Sequence, residues 1–273
     1  MTTLVTGGRG AVARTITAML RERALPVRVG SSRPEGPDTV ACDLTDPQTF
    51  PSALKGVTSV FLYAEPAQVD AFVEEAAGAG VEHVVLLSSS AVLTPDAEHN
   101  PLARTHLDVE KALTGSSIRT TSLRPGSFAG NALTWAWILR SGRPISLPFP
   151  GSHSDPIHEA DVAAAALAVL TEPRAGGRPY TLTGPESLTF AEQIEILSRA
   201  TGRSIPFTTV TREEWKEEMA EHLPGAFADS LLDWWESNDG SPVEITDTVR
   251  ELTGRPARTF AAWAEDHAAD FMP

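Results

Sequence analysis

The chain opens Thr3-Leu4-Val5-Thr6-Gly7-Gly8-Arg9-Gly10-Ala11-Val12-Ala13, and no other stretch limits the fold so strongly. A short apolar run begins almost at the first residue, breaks on glycines and gives way to a helical pattern from Ala11 to Arg23. Strand, glycine turn and helix in that order form a dinucleotide-binding unit. Gly7 permits a tight turn, Gly10 lets backbone approach a pyrophosphate, and the small Ala13 lets helix and strand pack closely. The first helical turn, at Ala11 and Val12, then offers unpaired N–H groups and a partial positive charge to the phosphates. Gly7, Gly8, Arg9, Gly10, Ala11 and Val12 are therefore the first candidate cofactor contacts.

The same alternation continues. Apolar runs at 26–30, 39–42, 57–64, 81–87 and 118–123 are separated by helical patterns at 47–54, 68–79 and 105–113, with a polar loop over 95–105. Continuous apolar strands alternating with helices predict an α/β fold, a Rossmann-type doubly wound parallel sheet covered on both faces. From Gly130 the pattern loosens, and Trp135, Trp137 and Phe149 either wall a pocket or form a lobe core. The expected division is a dinucleotide-binding domain over 1–130, with 155–172 packing back on it, and a smaller C-terminal α/β substrate lobe over most of 131–273. A helix through Leu231-Leu232-Asp233-Trp234-Trp235 belongs to the lobe core or to the mouth of its pocket.

Composition narrows the class further. With 273 residues, 41% hydrophobic and 21% charged, the chain is long enough for a substantial core. A formal net charge of −14 argues against a nucleic-acid partner, which needs a basic face. No run is long enough for a membrane span, and the first apolar segment is too short for a leader and already needed as a strand. Cys42 is the single cysteine, which excludes disulfides and cysteine metal clusters within one chain. A cytoplasmic protein is expected, with oligomer formation left open.

Cofactor choice is written at the end of the second strand. An acidic residue there would accept from the ribose 2′-hydroxyl of NAD, whereas Ser31, Ser32 and Arg33 suit the 2′-phosphate of NADP, with Arg9 as a second cation. Asp43 and Leu44, after the third strand, are placed to contact an adenine ring, although Thr45 or Asp46 equally caps the next helix. Ala64 at the end of the fourth strand joins the cofactor candidates. Ser88 and Ser89 end the fifth strand, where ligands bind in open α/β sheets. One of these serines is expected to hydrogen-bond a substrate oxygen or the nicotinamide ribose.

Thr6-Gly7-Gly8-Arg9-Gly10-Ala11-Val12-Ala13, Ser88-Ser89-Ser90, His106-Leu107-Asp108-Val109-Glu110-Lys111, Leu123-Arg124-Pro125-Gly126 and Thr183-Gly184-Pro185 occur in that order. With these segments the chain resembles the NmrA-like branch of the atypical short-chain dehydrogenase/reductases. The likeness is greatest to the NADPH-dependent quinone oxidoreductase and triphenylmethane reductase members, and it is tight to about Thr201. It implies NADP(H) as cofactor and hydride transfer to a small aromatic or quinone-like substrate. It also implies that Pro125, Gly126 and Phe128 hold the nicotinamide end.

One departure is informative. Short-chain reductases typically use a Tyr with a Lys four residues later, the Lys lowering the Tyr pKa and holding the ribose. Here the tyrosines are Tyr63 and Tyr180, and neither has Lys at that spacing. His106 stands at the equivalent place, with Glu110 four residues on and Lys111 beside it. His106, with an ordinary pKa near 6.5, is the candidate proton donor or substrate-orienting group, alongside Ser89; it is otherwise a structural partner of Glu110. Lys111 is the candidate ribose contact. His153, Asp155 and His158 mimic a metal triad, but their spacing matches no helical ligand pair, and no metal is expected. Two further readings stay open: an NADP-sensing regulator without turnover, and a dehydratase, epimerase or cyclase using the dinucleotide without net redox change.

Overall fold

Apolar runs in the first half of the chain become strands whose alternate side chains feed two separate cores. A computed structural model describes residues 2–36, 38–172 and 175–272. The strands are β1 (Thr3–Val5), β2 (Val27–Ser31), β3 (Thr39–Ala41), β4 (Ser59–Tyr63), β5 (His83–Leu87), β6 (Arg119–Pro125), β7 (Ile145–Leu147), β8 (His153–Ser154), β9 (Tyr180–Leu182), β10 (Leu188–Thr189) and β11 (Phe207–Thr209). The helices are α1 (Ala11–Glu22), α2 (Phe50–Leu54), α3 (Val69–Gly78), α4 (Pro101–Thr114), α5 (Leu133–Arg140), α6 (Glu159–Thr171), α7 (Phe190–Thr201), α8 (Arg212–Met219), α9 (Gly225–Ser237), α10 (Thr248–Thr253) and α11 (Phe260–Asp266).

Seven strands form one parallel sheet in the order β3-β2-β1-β4-β5-β6-β9. Val5, Phe61, Val85 and Leu123 point to the face covered by α1 and α6. Leu4, Leu62 and Leu86, one residue away in their strands, point to the face that also buries Phe50, Phe72 and Val109. That period of two is what a strand buried on both sides requires. Chain order reverses between β1 and β4, which opens a crevice at the carboxyl ends of those strands.

The lobe is not cut from the chain at one point. β9 completes the large sheet, α6 lies against α1, and α10 packs on α6 and β9. Outside that sheet are α5, α7, α8, α9, α11 and two small strand pairs, β10–β8 antiparallel and β11–β7 parallel. The carboxylates at the start of α6 tie this lobe down. Glu159 accepts from the Gly130 N–H (2.8 Å) and from Trp263 Nε1–H (3.1 Å), and buried Asp161 accepts from the Arg258 backbone and guanidinium. α4 starts earlier than the sequence pattern suggests. Asn100 caps it, accepting from the Leu102 N–H at 2.9 Å, and Pro101 fills the first helical position. Among the described residues no helix is long and apolar enough to cross a membrane.

Candidate functional site

The glycine turn leaves β1 into the crevice between β1 and β4. Gly7 takes a φ of +62°, in the left-handed region where a side chain is strained. Gly10 precedes α1 with no side-chain cap, and no acidic residue stands in the first turn, so the Ala11 and Val12 N–H groups remain available to an anion, while the Ala13 N–H meets the Tyr63 hydroxyl. Gly10 answers to a second constraint that the sequence does not show: a Cβ would stand 2.4 Å from the Tyr63 hydroxyl, whose ring lies over the turn. Ser31 is buried and its Oγ bonds both the N–H and the carbonyl of Arg33, fixing the bend at the end of β2. Ser32, Arg33 and Arg9 are exposed, and neither arginine has an ion-pair partner among the described residues. An uncapped helix start, a left-handed turn and two uncommitted cations fit a phosphorylated dinucleotide.

Asp43 is committed locally. Its carboxylate accepts from the Thr45 hydroxyl (2.7 Å) and N–H (2.9 Å), which hold its pKa below the ordinary carboxylate value. Leu44 and Ala64 lie half-buried beside the crevice strands, and Asp46 supplies the next helical cap.

At the ends of β5 and β6 a buried carboxylate organises the floor. Glu110, on α4, accepts from Ser88 Oγ at 2.5 Å and takes a two-pronged bond from Arg124, Nε at 2.9 Å and Nη2 at 2.5 Å. Burial pulls this carboxyl up, but the bonds from Arg124 and Ser88 outweigh it and the net shift is down. Glu110 stays ionised, and Ser88 spends its hydroxyl proton on it. Ser89 accepts from the Ala91 N–H at 3.2 Å, starting a short 3-10 turn, and keeps its own proton.

His106 lies one turn before Glu110 on the same side of α4, and Nδ1 is buried without a hydrogen-bond partner. Burial lowers its pKa, so the ring is neutral near pH 7. Glu110 bonds Arg124 and Ser88, not His106. Lys111 lies on the exposed face, paired with Glu98 at 2.5 Å.

Beyond β6 the chain turns through Pro125, Gly126, Ser127 and Phe128. The turn is pinned by Gly126 N–H to the Leu182 carbonyl (2.9 Å) and Ser127 N–H to Asp155 Oδ1 (2.9 Å). Burial pushes the Asp155 carboxyl up to about 6. From Ser127 and Phe128 a cavity of about 360 Å³ runs into the lobe. Four of its rings meet edge to face in a chain: Trp135 on Phe190, Phe190 on Trp235, Trp235 on Trp215, with centroids 6.0, 5.3 and 4.9 Å apart. Among the described residues no Asp, Glu, Lys, Arg or His lines it, and His106 is outside it.

Of the aromatic residues singled out in the sequence, Trp135 lines this cavity, Trp137 is largely exposed against His222, and Phe149 packs in a small cluster with Trp215. α9 contributes Leu231, Trp234 and Trp235 to the wall. The would-be metal triad is dispersed. His153 bonds Ser187, Asp155 holds Ser127, and His158 Nδ1 caps α6 by accepting from the Ala160 N–H at 3.1 Å. No metal-binding cluster occurs among the described residues. The polar residues Asn131, Thr134, Ser146, Ser154 and Gln193 of the cavity went unread in the sequence, and of these Ser154 and Gln193 are buried. Their burial arises from the pairing of β8 with β10, which no local pattern announces.

Comparison with known proteins places these features. The NmrA-like family matches residues 2–249. The chain is 36% identical to the (4-alkanoyl-5-oxo-2,5-dihydrofuran-3-yl)methyl phosphate reductase of Streptomyces griseus subsp. griseus, over 99% of both chains. It is 33% identical to an NAD(P)H azoreductase of Xenophilus azovorans, over 98% of each. Among solved structures, an NADPH-dependent quinone oxidoreductase of Escherichia coli complexed with NADPH superposes with a TM-score of 0.81. That match covers 97% of this chain and 99% of that one at 24% identity, and shows the shared fold.

Proposed function

The chain belongs to the NmrA-like family, and on that premise we propose that it is an NADPH-dependent reductase of a small aromatic or quinone-like electrophile, working without a tyrosine–lysine pair. The observation that carries this reading is the aromatic cavity whose lining begins at Ser127 and Phe128, in the turn that follows β6. A cofactor-sensing regulator has no use for such a cavity.

NADPH, when bound, supplies the hydride. The N–H groups of Gly7, Arg9, Ala11 and Val12 would hold the phosphates, since those of Gly8 and Gly10 already donate to the Gly30 and Gly7 carbonyls; Arg33 and Arg9 would neutralise the 2′-phosphate, with Ser32 hydrogen-bonding it. Pro125, Gly126 and Phe128 bound the nicotinamide end. His106 offers a neutral ring on the sheet side of the site, and Ser89 a hydroxyl at the end of β5. The Glu110–Arg124 pair keeps the floor between them rigid. The cavity selects for substrate: rings stack on its walls, and the lack of any lining cation gives a phosphate ester no counter-charge. The Streptomyces relative is named for a phosphorylated substrate, and this chain is expected to differ from it there.

The test is a pair of measurements on the purified protein. NADPH and NADH are titrated by fluorescence, and NADPH absorbance is then followed with quinones, azo dyes and aromatic ketones. Tight NADPH binding with steady oxidation is the expected result. Tight binding without oxidation across the panel would return the weight to the sensor.

A further inference from the structure

The missing tyrosine leaves open which group meets the substrate oxygen, and the polar atoms of the cavity answer it. Ser154 and Gln193 are 2% and 5% exposed, and both line the cavity. Gln193 sits in the first turn of α7, whose start is fixed by a reciprocal cap between Thr189 and Glu192. Its amide nitrogen donates to Ser154 Oγ at 2.8 Å and to the Leu188 carbonyl at 3.2 Å. A backbone carbonyl only accepts, so Leu188 fixes which end of the amide carries the nitrogen. With one N–H on Leu188, the other must enter Ser154 Oγ. The serine is thereby an acceptor from the protein, and its own O–H has no acceptor among the described residues. It is free to donate into the cavity.

We propose that the Ser154 hydroxyl is the hydrogen-bond donor to the substrate's carbonyl oxygen, and that Gln193 is the positioning residue that holds it in the donating sense. Hydride adds to the substrate, the displaced electron pair moves onto oxygen, Ser154 stabilises that oxygen, and water supplies the proton that ends the step; NADPH leaves as NADP⁺. Among the described residues no charged side chain lines the cavity, and its other polar side chains are those of Ser127, Asn131, Thr134 and Ser146. A preorganised donor acts most strongly where charge develops. The proposal rests on the reductase reading for turnover but not for binding.

The experiment therefore reads binding first, with NADP⁺ present. Tryptophans in the wall report occupancy by fluorescence quenching. The probes are menadione and 2-methylnaphthalene, which share one ring system and differ in the two oxygens. Ser154→Ala is expected to weaken menadione about 3- to 10-fold, as loss of a neutral hydrogen bond does, and to leave 2-methylnaphthalene unchanged. Ser154→Thr, which keeps a hydroxyl, should retain most of the menadione affinity, and Gln193→Leu should lose part of it. In turnover, Ser154→Ala should lower kcat for menadione more than 30-fold, an effect of the order seen on removing one oxyanion donor. Equal weakening of both probes, or of neither, would overturn the proposal while leaving the reductase reading intact. Selective loss of menadione binding in a protein that oxidises no NADPH would do the reverse.

Discussion

Around the glycine turn, the groups offered to a ligand are mostly backbone N–H, supplied by a few residues between Gly7 and Val12. Around the cavity they are rings, aliphatic side chains and a few neutral polar side chains, brought together from Ser127 to Trp235. Backbone donors are common to every residue type, so the first region depends on conformation. The second depends on identity, since a Trp replaced by another residue is a different wall. One half of the molecule can hold the same cofactor in many relatives, while the other half can diverge to meet different substrates.

Five substitutions can break or sharpen that contrast. The largest effect is expected from Arg124→Met, which leaves Glu110 ionised and buried without its partner. Removing one member of such a pair costs about 3–5 kcal/mol. Urea unfolding should show a loss of that order, and an unchanged midpoint would mean that the floor of the cofactor half is not held by this pair. Trp234→Ala comes next. Menadione affinity should fall roughly tenfold, about 1.4 kcal/mol, with NADPH affinity unaltered. A matching loss of NADPH binding would show that the two regions are not independent. Arg33→Ala should weaken NADPH about fivefold and spare NADH, a modest effect because the guanidinium is exposed and screened by solvent. Equal loss of both would remove the 2′-phosphate assignment.

A further effect is a dependence on pH with opposite signs in two places. His83, in β5, is held at about 4 by burial and then by Arg119, below its ordinary 6.5. The unfolded chain therefore binds more protons between those values, and this contribution to stability, present above 6.5, is lost as pH falls through about 4. Asp155 runs the other way. Raised by burial to about 6 from 3.8, it contributes stability present below 3.8 and lost as pH rises through about 6. His83→Phe should flatten the fall in thermal midpoint on acidification, and Asp155→Asn should steepen it. Thermal scans from pH 7 to pH 4 check both.

The same contrast explains what could be read from sequence. The sheet was legible because each strand carries its own apolar run, and the turn at Gly7 because its glycine spacing is local. The proposed NADP preference at Ser31 to Arg33 rests on a local signal of the same kind. Glu110 was seen as a neighbour of His106 along the helix, but its actual partners are far off in the chain and only folding brings them near. Asn100-Pro101 carried a cap signal that the polar stretch around it masked. Ser154 and Gln193 had no local signal, because the hydrogen bond between them exists only after β8 and β10 pair. Trp135 could be assigned to a wall or a core from sequence alone, and the ring contacts decide between them.

The order in which the cavity's residues occur has a consequence for synthesis. Every strand of the large sheet has left the ribosome once Leu182 is out, and the cofactor half can close on itself from then on. Trp215, Trp234 and Trp235 are still to be made, and so are Arg258 and Trp263, which fasten the lobe to the start of α6. A growing chain therefore acquires its grip on the dinucleotide before it has a place for anything to be reduced.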